Sequence, residues 1–238
     1  VDDSTNSYYI TLGLANPTLA VGFGRTTDWN TNTPSPTDNF NYVDHSGDTQ
    51  IFGKKVTSAN IRRLITRRDW TQGTRYEIYR HDYSVTNPSP VTNSTRLYAS
   101  NYYVINKNFD VYVCIDNGSS GISSTGNASQ DEPLFTDLEP SRAGESGDGY
   151  IWKYLYTIKP GDITKFDSTN FMPVPKDWAT NSIDAPVRDN AATSGQLKIV
   201  TITNRGAGLG TANQSYTRVP IKGDGTGGEA TVVINSAS

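Results

Sequence analysis

The sequence predicts a mainly β protein, and three observations carry that prediction. Apolar residues make up only 34% of the 238 positions, while Thr, Ser, Asn, Gly and Tyr are abundant. Ordinary soluble domains are about 45–50% apolar, a clear gap even allowing for the different residues counted. Thr and Tyr suit a half-buried pleated surface and Asn and Gly suit turns, so this composition fits twisted sheets joined by long polar loops. Period-two alternation is clearest where Tyr150, Trp152, Tyr154 and Tyr156 interleave with Ile151, Lys153, Leu155 and Thr157. Gly, Pro and Asn punctuate the short runs between.

In chain order, Tyr8 to Leu12 and Val21 to Phe23 read as short strands on either side of the turn Ala15-Asn16-Pro17. Asn30 to Asn39, with Pro34 and Pro36, reads as a loop. A short helix is expected from Ser58, an N-cap residue, because Ile61, Leu64 and Ile65 fall at i, i+3 and i+4; it ends before Trp70. After a loop from Ser84 to Ser100, Tyr102 to Ile105 and Val111 to Ile115 form a hairpin around Asn106-Lys107-Asn108. Asp116 to Asp148 has little apolar periodicity and reads as an interaction arm or a segment covered by a partner. Tyr150 to Thr157, with one aromatic face, is expected to be a central strand.

From Leu197 the character changes. Leu197 to Thr203, Val219 to Ile221 and Ala230 to Ile234 read as strands separated by glycine turns at Gly206 to Gly210 and Gly223 to Gly228. The polar stretch Asn181 to Gly195 is expected to be a linker, giving a domain at 1–190 and a Gly-rich β module at 191–238 that continues further. From Val1 in place of Met, and a strand pattern running close to Ser238, a portion of a longer polypeptide is the expectation.

The charge of −3 and pI of about 5.4 give no overall attraction to nucleic acid or acidic membranes. No apolar run approaches the ~20 residues of a membrane span, and no secretory signal opens the chain. The single cysteine, Cys114, sits in an apolar strand pattern and implies a fold without an internal disulfide.

Motifs for chemistry are weak. Gly223, Gly225 and Gly228 match Gly-x-Gly-x-x-Gly after a strand, but a second strand follows where a phosphate loop needs a helix N-terminus. His45 and His81 are far apart and belong to no metal-ligand spacing. The carboxylates Asp131, Glu132, Asp137, Glu139, Glu145 and Asp148 lack calcium-loop spacing and read as a solvated acidic loop. Neither catalytic residues nor a cofactor or metal site is expected. Four Asn-x-Ser/Thr sites, at Asn93, Asn117, Asn127 and Asn213, are expected by chance in so Asn- and Ser-rich a chain.

The basic run is more informative. Lys54, Lys55, Arg62, Arg63, Arg67, Arg68, Arg75 and Arg80 interleave with Trp70, Tyr76 and Tyr79. Arginine beside aromatics serves nucleic-acid grooves and protein interfaces alike. Asp69 and Glu77 stand ready to pair with these arginines, which favours an ion-paired core or a subunit interface. The structural or interface residues expected on this basis are Arg67, Arg68, Asp69, Trp70, Arg75 and Tyr76, with Tyr150, Trp152 and Tyr154 on the aromatic strand.

Several segments in order carry a resemblance. They are Tyr8-Tyr9-Ile10-Thr11-Leu12-Gly13, Phe23-Gly24-Arg25 with Trp29, Pro36-Thr37-Asp38, Arg67-Arg68-Asp69-Trp70 with Thr74-Arg75-Tyr76, Tyr112-Val113-Cys114, and Gly147 to Leu155. Together they resemble the baseplate wedge proteins of contractile-tailed bacteriophages, the dimeric wedge subunit of the large myophages. The resemblance implies an elongated two-layer β-sandwich with helices in its long connections. It also implies a non-enzymatic virion protein of the tail baseplate, assembled in the host cytoplasm as a homodimer that docks other wedge proteins. Two features depart from the pattern: the extra strand Val21 to Arg25, and the C-terminal Gly-rich module, which resembles units appended to cyanophage tail proteins. A carbohydrate- or receptor-binding tail protein, with exposed tyrosines stacking on sugars, is the alternative.

Overall fold

Backbone amides and carbonyls must be paired when they leave water, so the short apolar runs of this sequence find antiparallel partners. The computed structural model describes residues 7–13, 50–119, 124–175, 185–191, 197, 200, 202 and 206–234. Among them the protein is mainly β, with short helices between small antiparallel sheets. The chain divides into two units, 1–62 and 63–238.

In the first unit, β1 (Tyr8–Gly13) and β2 (Gln50–Val56) form a two-stranded ribbon. Ile10 lies opposite Lys54 and Leu12 opposite Phe52, after which the register slips so that Gly13 faces Gln50. The helix expected from Ser58 is only a 3-10 turn, Ser58–Asn60, where the Thr57 amide donates to the Asn60 side-chain oxygen at 3.2 Å. Ile61 is already extended, at φ −122° and ψ 133°. Leu64 and Ile65 lie instead in β3 (Arg63–Thr66) of the second unit, paired with β7 (Phe171–Val174). β-branched Ile65 and Thr66 suit a strand, and β7 supplies backbone partners worth more than one costly helical nucleus. The expected strand Val21 to Phe23 and loop Asn30 to Asn39 lie outside the described residues.

The second unit is built on a three-stranded sheet in the order β4 (Tyr103–Ile105), β5 (Asp110–Asn117), β6 (Tyr150–Thr157). The expected hairpin is β4 and β5, turned by Asn106 to Phe109, with Phe109 at φ 64°. Asn106 makes the turn: its side-chain oxygen accepts the amides of Asn108 and Asp110, at 2.9 and 2.8 Å. The aromatic strand β6 alternates buried and half-buried residues along its length, as its sequence predicts. It is an edge strand, however, and β5 is central. β5 is the strand whose first five residues are all buried, the run expected of a strand covered on both faces, and β6's outer side meets Ser141 by reciprocal backbone bonds to Trp152.

Two apolar clusters use this sheet. One gathers Tyr76, Val104, Tyr112, Cys114, Trp152 and Tyr154 with Tyr150. The other gathers Ile105, Val111, Tyr156, Ile158 and Met172 with Tyr103. The register slips between Val111 and Tyr112, and across that slip Tyr156 joins the second cluster while Tyr154 stays in the first. Met172 of β7 is fully buried, and Ile65 of β3 packs beside it, so the β3–β7 pair lies as a second sheet on the first. Helix α1 (Pro160–Phe166) starts with Pro at its first turn and adds Ile163 to the same cluster.

The expected linker contains helix α2 (Ala185–Ala191), and Val187 packs on the first cluster. Pro186 does not prevent this, because the first helical turn has no need of its amide. The acidic segment after β5 is not a free arm either. Ser129 is fully buried, Asp148 accepts the amides of Gln130 and Tyr150 at 2.8 and 2.9 Å, and the Asn127 side chain donates to the Asp148 carbonyl at 2.8 Å. The described part of the segment from Ser124 onward thus folds back over its own sheet. Gly118 and Gly149 cross so closely that a Cβ on Gly149 would lie 2.6 Å from the Gly118 Cα.

At the C-terminal side, β8 (Ser215–Pro220) and β9 (Glu229–Val233) pair around the glycine turn, and Gly223 to Gly228 runs directly into a strand. The expected strand Leu197 to Thr203 falls largely outside the described residues.

Candidate interaction site at the arginine corner

Arg67 to Trp70 follow β3 and run beside the free edge of β4. The Ile105 amide donates to the Arg68 carbonyl at 2.8 Å, and the Trp70 amide donates to the Ile105 carbonyl at 2.9 Å. This short parallel bridge fixes the backbone, so the four side chains fan out from a rigid edge.

Arg67 grips two carboxylates. Its Nε and Nη2 donate to Asp69 Oδ1 at 3.0 and 2.8 Å, and its Nη1 reaches Asp167, which caps the C-terminus of α1. The guanidinium also lies 5.6 Å over the Phe109 ring. Hydrogen bonding to Asp69, above all, raises its pKa further beyond an already high value. Such a fork is the geometry arginine supplies and lysine does not. Arg68 instead donates to the Ala99 carbonyl at 3.1 Å and lies 5.5 Å over the Tyr103 ring.

Trp70 is half-buried. Its ring packs on the first cluster, and its indole N–H donates to the Ser129 hydroxyl at 3.0 Å. Arg75 donates to the Gly126 carbonyl of the acidic segment. Tyr76, Tyr150, Trp152 and Tyr154 are buried and lie together. Tyr150 and Trp152 stack at 5.5 Å, Tyr76 meets Trp152 edge-on at 5.4 Å, and the Tyr150 hydroxyl donates to the Asn127 carbonyl at 2.8 Å. These aromatics hold the sheet to its loop. Asp69, by contrast, is exposed.

Glu77 does not pair with the arginines as expected. It is fully buried, and its carboxylate accepts the amides of Thr92 at 2.8 Å and Asn101 at 2.9 Å, and the Thr92 hydroxyl at 3.0 Å. It fastens the 84–101 loop to the sheet. Arg80 takes Asp82 as its partner, at 3.0 Å, and holds the Asp82 carboxyl below its ordinary value. Sequence reasoning misassigned Glu77 and missed Asp167. Their partners, the amides of a distant loop and an arginine 100 residues away, leave no local pattern.

Burial pushes the Cys114 thiol far up, so it stays protonated and inert. Among the described residues no group of three His, Cys, Asp or Glu could hold a metal ion. Carboxylates of the acidic segment are dispersed as caps: Asp131 accepts the Ser146 amide at 3.0 Å, and Glu132 accepts the Lys107 amide at 3.0 Å. His81 is exposed, and His45 lies outside the described residues. Among the described residues no helix is long and apolar enough to cross a membrane.

No family model matches the sequence, and no solved structure matches it. The chain is 28% identical over 200 residues to the baseplate wedge protein gp8 of Enterobacteria phage T4. That alignment covers 72% of this chain, and the chain spans 56% of that relative's length.

Proposed function

We propose that this chain is a structural subunit of a phage tail baseplate, a wedge component that works by docking and not by catalysis. The observation that carries this reading is the similarity to a baseplate wedge protein over most of the chain. The geometry is consistent with it. Side chains that could do chemistry are committed to holding loops: Glu77 to the 84–101 loop, Asp131 and Asp148 to the acidic segment, Cys114 to the core. A scaffold needs loops presented rigidly on a sheet, and that is how these groups are used.

In this reading the protein forms a homodimer, docks neighbouring wedge proteins, and resides in the tail of a contractile phage. Residues 1–190 form the wedge-like part and 191–238 a Gly-rich β module, as in cyanophage-like tail proteins. Arg67, Arg68, Asp69 and Trp70 form the edge that positions contact loops, while Arg75, Tyr76, Tyr150, Trp152 and Tyr154 act from beneath as structural supports. Imaging purified particles by electron microscopy with an antibody to this chain tests the assignment. Label at the tail end is expected, and particles that carry none would sink it. Native mass spectrometry of the purified chain tests the dimer.

A further inference from the structure

Among the described residues, the β1–β2 ribbon of the first unit exposes a run of large apolar side chains. Tyr9 and Ile51 are 67% and 65% exposed, and Tyr8, Ile10, Leu12 and Phe52 are exposed as well. Two-stranded ribbons are marginal alone, and clustered exposed apolar side chains mark a surface made to be covered. Strand alternation places Tyr8, Ile10 and Leu12 on one face, opposite Val56, Lys54 and Phe52 in turn. Lys55, opposite Tyr9, belongs to the other face.

The charge on this ribbon narrows the choice of occupant. β1 and β2 contain Lys54 and Lys55 and no acidic residue, within a chain whose formal charge is −3. Lys54 occupies the middle of its row, so a second copy docked about a two-fold through that face would bring two ammonium groups toward each other. Like charges facing across an interface are unfavourable, whereas a carboxylate there would be matched.

Resting on the assembly reading above, we propose that the β1–β2 ribbon is a docking surface for a different virion protein. That partner offers an apolar patch bordered by Asp or Glu side chains. Tyr8, Ile10, Leu12 and Phe52 supply the apolar anchors and Lys54 sets orientation.

The test uses the full chain assembled into particles, with a photoreactive phenylalanine analogue at Phe52 and a control at Val85, which is 83% exposed in the second unit. The expected result is an adduct at Phe52 to one other virion protein, within a peptide carrying Asp or Glu. Lys54→Glu should lower its yield by about tenfold, the equivalent of one lost charge pair, without shifting thermal unfolding. An adduct between two copies, an adduct to lipid, equal yield at Val85, or no adduct in particles that contain the chain would each overturn the proposal while leaving the assembly reading intact. Absence of the chain from particles would overturn both.

Discussion

Trp70 and Trp152 show how burial decides what one residue contributes. Trp152 is fully buried between Tyr76 and Tyr150, so Trp152→Ala should cost about 3–5 kcal/mol in chemical denaturation. Its indole N–H has no hydrogen-bond partner among the described residues, so Trp152→Phe forfeits volume but no bond and should cost markedly less. Trp70→Ala should cost less than Trp152→Ala, about 2 kcal/mol, because the ring is half-buried, although it also strands the Ser129 hydroxyl. Equal losses for the two alanine variants would contradict this ranking. The tyrosines add a pH dependence. Burial is the main reason that the phenols of Tyr76, Tyr83, Tyr103, Tyr112 and Tyr150 titrate above their ordinary value. Unfolded tyrosine loses its proton near pH 10 while these folded ones keep theirs. The folded state therefore binds more protons at alkaline pH, and stability falls as pH rises through and beyond about 10. Tyrosinate absorbance should appear together with loss of folded structure in an alkaline titration, not ahead of it.

Loops make the stronger predictions at the scale of elements. Glu77 is a single carboxylate that replaces water for four donors of the 84–101 loop, so Glu77→Ala leaves them buried or forces the loop open. Amide hydrogen exchange at Thr92 and Asn101 should accelerate by more than about tenfold, with the β5 amides little changed. Unchanged exchange would show that the loop is held by something else. The glycine crossing gives an internal control. A Cβ on Gly118 would meet the Asp148 carbonyl at 2.4 Å, while one on Gly147 would meet nothing, and both residues have positive φ. Gly147→Ala thus measures backbone strain alone, about 1 kcal/mol. Gly118→Ala adds a clash with backbone and should cost at least about 2 kcal/mol more in thermal or chemical unfolding. Legibility follows the same logic. β6, the β4–β5 hairpin and the glycine turn before β9 were readable because their pattern is local. β2 was not, since Gly53, Lys54 and Lys55 interrupt any apolar alternation. β7 was not, since Pro173 argues against a strand that its pairing with Leu64 nonetheless stabilises. The false helix at Ser58 came from an i, i+3, i+4 coincidence that pairing with β7 overrode. Among the candidate residues, Arg67 with Asp69 was legible because the partners are two apart, while Glu77 was misassigned because its true partners lie in a distant loop.

At the scale of the whole molecule, the burial of the described residues is divided very unevenly between the two units. Every described apolar residue that is fully or nearly buried lies between Tyr76 and Pro173. Both apolar clusters, the second-sheet contact through Met172 and the Arg67 clamp therefore belong to residues 63–238. The described residues of the first unit form a two-stranded ribbon whose large side chains are exposed, and such a ribbon by itself cannot offset the entropy of ordering its own backbone. A chain beginning at Arg63 should consequently unfold cooperatively, keep the delayed tyrosine titration, and lose less than about 1–2 kcal/mol relative to the full sequence. In the isolated 1–62 segment the amides of Tyr8–Gly13 and Gln50–Val56 should show no protection from exchange. Loss of cooperativity in the shortened chain would mean that the ribbon completes the core instead of standing ready for another surface. That outcome would count against a docking role for β1 and β2 as well, because the same side chains cannot serve both purposes.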